Sequence, residues 1–367
     1  MFDTVIIGGG VMGLGVAWRL AQAGQRVQLL ERAEPGAEAS SAAAGILGPQ
    51  AECDAPSPFF ELGLRSRELY PTFAAELRER TGIDVEHRVC GVLHAAFTDD
   101  EAARLADRAR WQSAAGHAAE VVTGAALRDL EPALSERAIA ALCCPREAQV
   151  DPGVLVRALA RAAADAGVQI ERAEAVRVRV ERDRAAGVAL ADGRRVDAGA
   201  VVLAAGAWSG QLEGAGGLAR SVAPVRGQMV CVRLRPGEVR HVVFTGHGYV
   251  VPRADGRVLA GSTMEQVGFD KAVTAGGLAS ILERAIHAVP ALAGAKVGAH
   301  WSGLRPGTGD GLPLLGPGPI DRLFFATGHF RNGILLAPIT AQLVAEAVLG
   351  RAPAVDLSPF RPDRAIH

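Results

Sequence analysis

Residues 4–31 read TVIIGGGVMGLGVAWRLAQAGQRVQLLE. A β-branched run at 4–7 breaks at Gly8-Gly9-Gly10, and apolar residues then recur at helical spacing over 11–23. Gly24 stands where a helix end favours a left-handed residue, and 27–30 form a second short apolar run closed by Glu31. The stretch is a strand–turn–helix–strand unit in about thirty residues. Gly8-x-Gly10-x-x-Gly13 at its junction has the spacing that seats a pyrophosphate on a helix start. Gly8 permits the tight turn, Gly10 lets the backbone approach the phosphates, and Gly13 lets helix pack on strand. The first-turn amides, at Val11 and Met12, would hold the anion with help from the helix dipole. Glu31, eighteen residues past Gly13, is placed to accept from a ribose 2′-hydroxyl, with Arg32 beside it. An isolated glycine triplet could be only a tight turn, but strand, helix, second strand and acid in register predict a bound dinucleotide. They do not separate NAD from FAD.

Beyond this unit, ASSAAAGILG (39–48) is too rich in small residues for an ordinary core helix. Periodicity predicts helices over 57–80, 99–115 and 153–166, and strands over 91–97, 168–171, 174–182 and 186–191. VVLAAGAWSG (201–210) reads as a buried strand ending in a glycine turn, and 248–263 as a hairpin around Ala-Asp-Gly. LFFATG (323–328) is a strand followed by a helix from 333 to 349, and the proline- and arginine-rich tail beyond 351 reads as a surface extension. Dinucleotide-type strands thus fall near residues 5, 29, 203 and 325, with sheet-rich pieces inserted between them. The expected architecture is α/β, a Rossmann-type domain (1–85, 148–220 and 305–367) interleaved with an α+β substrate domain on an antiparallel sheet (86–147 and 221–304).

Composition narrows the function. With 367 residues, 49% apolar and net charge -1, the chain has no basic field suited to nucleic acid or anionic lipid. Its five cysteines form no C-x-x-C pair and no even framework, so neither disulfides nor a metal site is expected, and the compartment reads as the reducing cytoplasm. No run of eighteen apolar residues predicts a membrane span, and no basic N-terminal region predicts a secretory signal. Lysine occurs only at 271 and 296, so arginine is abundant and any one arginine is by default a surface charge.

Two segments favour FAD. Small residues after the strand at 201, including Ala205 and Gly206 ahead of Trp208, would let a cofactor pass close to backbone. In GHFRNGILLAP (328–338) a helix begins at a glycine, and aimed at a flavin's N1–C2=O edge it would stabilise the anionic reduced ring by about 0.5–2 kcal/mol. Pro338 fits a first turn, whose amides lack helical partners. An ordinary C-terminal packing helix is the other reading of that segment.

VIIGGGVMG (5–13), ASSAAAGILGPQAEC (39–53), GYVVPR (248–253), GLRPGTGDGLPLLG (303–316) and GHFRNGILLAP (328–338) together resemble the D-amino-acid-oxidase superfamily, above all its bacterial glycine oxidase branch of the thiamine pathway. The resemblance spans nearly the whole chain. It implies that Ser40, Ser41, Gly45, Ile46 and Leu47 line the flavin, that the backbone of Val176 meets the adenine, and that His329, Arg331, Asn332, Gly333, Ile334 and Leu335 form the flavin-facing turn. It implies that Arg305 binds the substrate carboxylate, for which a planar fork is suited. Tyr249 would share the carboxylate, with Arg331 touching substrate or ring, and His247 and His329 orienting neighbours. Without a cysteine in 303–316 the FAD is expected to be noncovalent, and Gly248 beside Tyr249 is expected to widen the pocket. The implied reaction is hydride transfer from the α-carbon of glycine, sarcosine, D-alanine or D-proline to flavin N5. Oxygen would be the acceptor and a homotetramer the assembly. A dehydrogenase using another acceptor, a non-catalytic flavin-binding subunit and, more weakly, an NAD enzyme remain as alternatives.

Overall fold

The computed structural model describes residues 1–217 and 221–364. β1 (Phe2–Ile7) and β2 (Val27–Glu31) are buried without alternation over 4–7 and 27–30, the pattern of strands covered on both faces of a parallel sheet. They pair in parallel, Ile7 opposite Leu30, through the crossover helix α1 (Val11–Gln22). α1 buries nine of its twelve residues, Trp18 and Leu14 among them, and Gly24 follows its end at φ +85°. Arg195–Leu203 and Leu323–Thr327 extend the sheet beyond β1, again in parallel, so all four expected strands are present. Gln169–Arg172, the strand expected over 168–171, pairs with β2 and adds a fifth parallel strand. Leu314–Pro317 runs antiparallel on the far edge, and Ala175–Glu181 and Arg184–Leu190 form an antiparallel ribbon on the first half of Arg195–Leu203.

The second sheet has eight strands, in the order Lys296–Gly307, Ala223–Arg233, Arg257–Gly261, Gly248–Pro252, Val242–Thr245, Val92–Ala96, Ala140–Cys144 and Glu120–Thr123. It is antiparallel as expected, except that Val242–Thr245 runs parallel to Val92–Ala96, where the two inserted pieces of chain meet. The helix Ala275–Ala288 covers one face through Ile281, Ala285 and Ala288. A small sheet of Ile46–Leu47, Ala148–Gln149 and Arg88–Val89 lies where the chain passes between the two large ones.

Three expectations need correction. The strand read within 201–210 begins earlier, at Arg195, and stops at Leu203; Gly206, at φ +53°, then turns the chain into the 3₁₀ segment Gly206–Gln211. The tail is no surface extension, because Leu357 and Phe360 bury into the main core and Arg364 clamps Asp310; residues 365–367 lie outside the described residues. Pro338 sits in the second turn of the helix Gly333–Val348, not the first, and deprives the Ile334 carbonyl of its i+4 donor. Tyr70 repairs this: its hydroxyl donates to the Ile334 carbonyl, and Ser66 Oγ donates to Leu335 O at 2.6 Å. Both come from the long helix Pro58–Thr81, which thereby fixes the start of the C-terminal helix.

Candidate active site

A cavity of about 430 Å³ opens at the carboxyl ends of the parallel strands, where ligands of such sheets bind. Gly8 takes φ +106°, and a Cβ there would stand 2.4 Å from the Ala204 carbonyl oxygen, so only glycine allows the two strand ends to approach. A Cβ at Gly13 would meet Gly8 O at 1.9 Å, which is the helix-on-strand contact expected of it. Glu31 faces the cavity, its carboxylate accepting from Gly9 N at 2.7 Å and Ala33 N at 2.9 Å. Ser40 Oγ accepts from Val11 N at 3.0 Å, tying the small-residue run to the start of α1. Arg32 stacks its guanidinium 3.9 Å from the Trp208 ring centre, and both line the cavity.

The cavity continues onto the second sheet. Arg305, opposite Val225 in the long strand Lys296–Gly307, donates to Ser262 Oγ at 2.7 Å and Thr263 O at 3.2 Å. Its guanidinium lies over Gly227, where a Cβ would stand 2.1 Å from Nη2. Burial pulls its pKa below the usual guanidinium range, and Tyr249 and Glu52 oppose that while Arg331 adds to it. Tyr249, opposite Gly261, donates to Met229 Sδ at 3.3 Å. Phe330 N donates to Pro306 O at 2.9 Å, so the GLRPG and GHFRNG segments are joined directly. Arg331 reaches Glu52 at 3.4 Å. His329 is buried, bonded to Thr340 at 3.0 Å, and burial lowers its pKa to about 3, so it stays neutral at ordinary pH.

Of the residues singled out from sequence, Gly8, Gly10, Val11, Met12, Glu31, Arg32, Ser40, Gly45, Ile46, Val176, Ala205, Gly206, Trp208, Tyr249, Arg305, His329, Arg331, Asn332, Gly333 and Ile334 line this one cavity. Four do not. Gly13 serves packing, Ser41 is exposed one residue beyond Ser40, and Leu47 and Leu335 are core side chains. His247 is also elsewhere, exposed in the turn after Val242–Thr245. Glu52, Gly227, Met229 and Ser262 were missed. Glu52 stood inside the quoted AEC segment; nothing local distinguished the other three, whose places depend on cross-strand register.

A nucleotide cradle continuous with an arginine–tyrosine pocket suits a flavin enzyme that handles small carboxylates. The chain belongs to the FAD dependent oxidoreductase family, whose model matches residues 3–347. It is 42% identical to a glycine oxidase of Geobacillus kaustophilus over 100% of this chain and 97% of that one. The crystal structure of glycine oxidase from that organism superimposes with a TM-score of 0.94 at 40% identity, covering 100% and 99% of the two chains. A Synechocystis protein named bifunctional protein ThiO/ThiG is 37% identical over 99% of this chain and 54% of its own length.

The protein is therefore an FAD-dependent oxidoreductase. The residues present fit that cofactor: a helix start and Glu31 at one end of the lining, small residues along it, and a second helix start at Gly333–Ile334. Among the described residues no group of His, Cys, Asp and Glu could hold a metal, and no helix is long and apolar enough to cross a membrane.

Proposed function

We propose that the protein oxidises glycine and other small amines (sarcosine, D-alanine, D-proline) to the imine, with oxygen as acceptor and hydrogen peroxide as product; water then hydrolyses the imine to the 2-oxo acid, releasing ammonia from glycine and D-alanine and methylamine from sarcosine. The observation that carries this reading is Arg305, a half-buried fork beside Tyr249 within the FAD cavity. A planar guanidinium takes both oxygens of a carboxylate, and Ser262 and Thr263 hold it in place beforehand. The Tyr249 hydroxyl, lightly held by a thioether sulfur, is free to turn to the same carboxylate. When bound, FAD accepts the hydride from the α-carbon. The start of the helix Gly333–Val348 would face the charge that develops, a contribution of about 0.5–2 kcal/mol. Neutral His329 is hydrogen-bonded to Thr340 and serves to fix the turn rather than to move protons. The amine must be neutral to release hydride, and pH or desolvation can supply that without a dedicated base.

In this reading Glu31 and the start of α1 hold the ribose and pyrophosphate, and Val176 lies by the adenine. Five free cysteines support a reducing, cytoplasmic setting. The exposed residues 296–300 of an edge strand support a homo-oligomer, since a second copy would cover them. A supply of glycine-derived imine to thiazole synthesis for thiamine is the proposed pathway. The decisive assay feeds glycine to the aerobic enzyme: peroxide should appear in step with ammonia. Turnover only with an artificial acceptor would make the protein a dehydrogenase instead.

A further inference from the structure

Three charged side chains of the cavity act on one another: Arg305, Arg331 and Glu52. Glu52 ends the four-residue helical turn Pro49–Glu52, whose backbone is held by buried side chains on both sides. Gln50 N and Ala51 N both donate to Oε1 of Glu147, which is fully buried, the second at 3.2 Å. Arg108 Nη2 donates to Gln50 O at 2.9 Å and Ala51 O at 2.6 Å. Arg67 Nη1 donates to Gln50 Oε1 at 2.8 Å, and Gln112 Nε2 to Gln50 O at 2.9 Å. This many buried polar partners on one short segment fixes the place from which Glu52 meets Arg331, 3.4 Å away.

The consequence is a charge count. With Glu52 present the pocket offers one uncompensated cation, Arg305, and one carboxylate satisfies it. Without Glu52 it would offer two, and a substrate with a second anionic group would gain a partner in Arg331. We propose that Glu52 is a specificity-determining residue: by occupying Arg331 it restricts the enzyme to amines with a single carboxylate and turns away dicarboxylic amines. The proposal rests on the assignment of Arg305 as the carboxylate site. A like charge facing an incoming anion adds repulsion to the missing attraction, which is how sites exclude near-relatives of their substrates.

The test compares sarcosine with iminodiacetate, which replaces the N-methyl group of sarcosine by a carboxymethyl group. In Glu52→Gln the ratio of kcat/KM for iminodiacetate to that for sarcosine should rise at least tenfold. The gain should appear in KM, because the second carboxylate binds away from the reacting carbon. Glu52→Asp should keep the parent ratio, and Glu52→Gln/Arg331→Gln should lose the gain. An unchanged ratio in Glu52→Gln, or a gain that survives in the double variant, overturns the proposal. A second arm needs no turnover. Methoxyacetate and diglycolate copy the two substrates with an ether oxygen in place of nitrogen, and their binding is read from the flavin's visible absorbance. Diglycolate should tighten at least tenfold relative to methoxyacetate in Glu52→Gln, and a constant ratio contradicts the proposal. Failure of the parent enzyme to bind methoxyacetate at all would instead count against Arg305 as the carboxylate site.

Discussion

Arg305 is one arginine among many, and its setting rather than its type sets it apart. The fork lies on the bare backbone of Gly227 and is held by Ser262 and Thr263. Arg305→Ala should lower kcat/KM for glycine by an amount worth roughly 2–4 kcal/mol, the scale of a desolvated charge-assisted contact left unmade. Near-parental kinetics would remove it from the site. Gly227→Ala is a gentler probe: the added methyl would stand 2.1–2.3 Å from three guanidinium atoms, at the far end of a flexible side chain. The fold should tolerate it, with thermal midpoint little changed, while a shifted fork costs about tenfold to a hundredfold in kcat/KM. Attention fell on Arg305 through the resemblance that its GLRPG segment carries, but Gly227 drew none, because its contact with the fork arises only when Arg226–Gly227 and Gly303–Leu304 come into register. Glu147 was equally invisible. Burial, its first cause, pushes this carboxyl up to about 8 against Arg67 and two backbone amides that pull it down. The folded value then exceeds the unfolded one, so the unfolded chain loses the proton first. Stability from this group is complete below the ordinary 4.5 and drains away as pH rises through about 8. Glu147→Gln, which cannot ionise, should flatten that part of the stability-against-pH curve in denaturant titrations; an unchanged slope would mean the carboxyl titrates normally.

Among elements, the C-terminal helix shows how a local rule gives way to tertiary context. A proline near a helix start suggests the first turn, yet Pro338 lies in the second, and Tyr70 supplies the donor it lacks. Sequence spacing cannot report a hydroxyl 264 residues earlier in the chain. Tyr70→Phe should cost about 1–3 kcal/mol by stranding the Ile334 carbonyl. Pro338→Ala placed in that background restores a backbone donor and should recover part of the loss. Additive destabilisation in the four-way comparison of melting curves would contradict the repair. The elements with strong periodicity were legible: α1, the helices at 58–81 and 99–114, and the hairpin at 248–261 all formed where the pattern put them. What escaped were features set by distant partners, such as the place of the strand Gln169–Arg172 beside β2 and the tail whose Phe360 fills the main core.

For the whole molecule, the parallel sheet supplies the nucleotide end of the cavity and the antiparallel sheet supplies Arg305 and Tyr249. The Pro306–Phe330 backbone bond locks the two contributions together, so FAD should stabilise both sheets at once. Removal of FAD should therefore lower the thermal midpoint of the whole chain in one transition, and two separate transitions in the holoenzyme would contradict that coupling. In the proposed function this cavity oxidises a small amine carboxylate with its own flavin. Mixing the yellow holoenzyme with glycine or sarcosine under strict anaerobiosis tests it most directly. The flavin's visible absorbance should be lost in the parent enzyme, and far more slowly in Arg305→Ala. A flavin that stays oxidised with glycine, sarcosine, D-alanine and D-proline alike would contradict it.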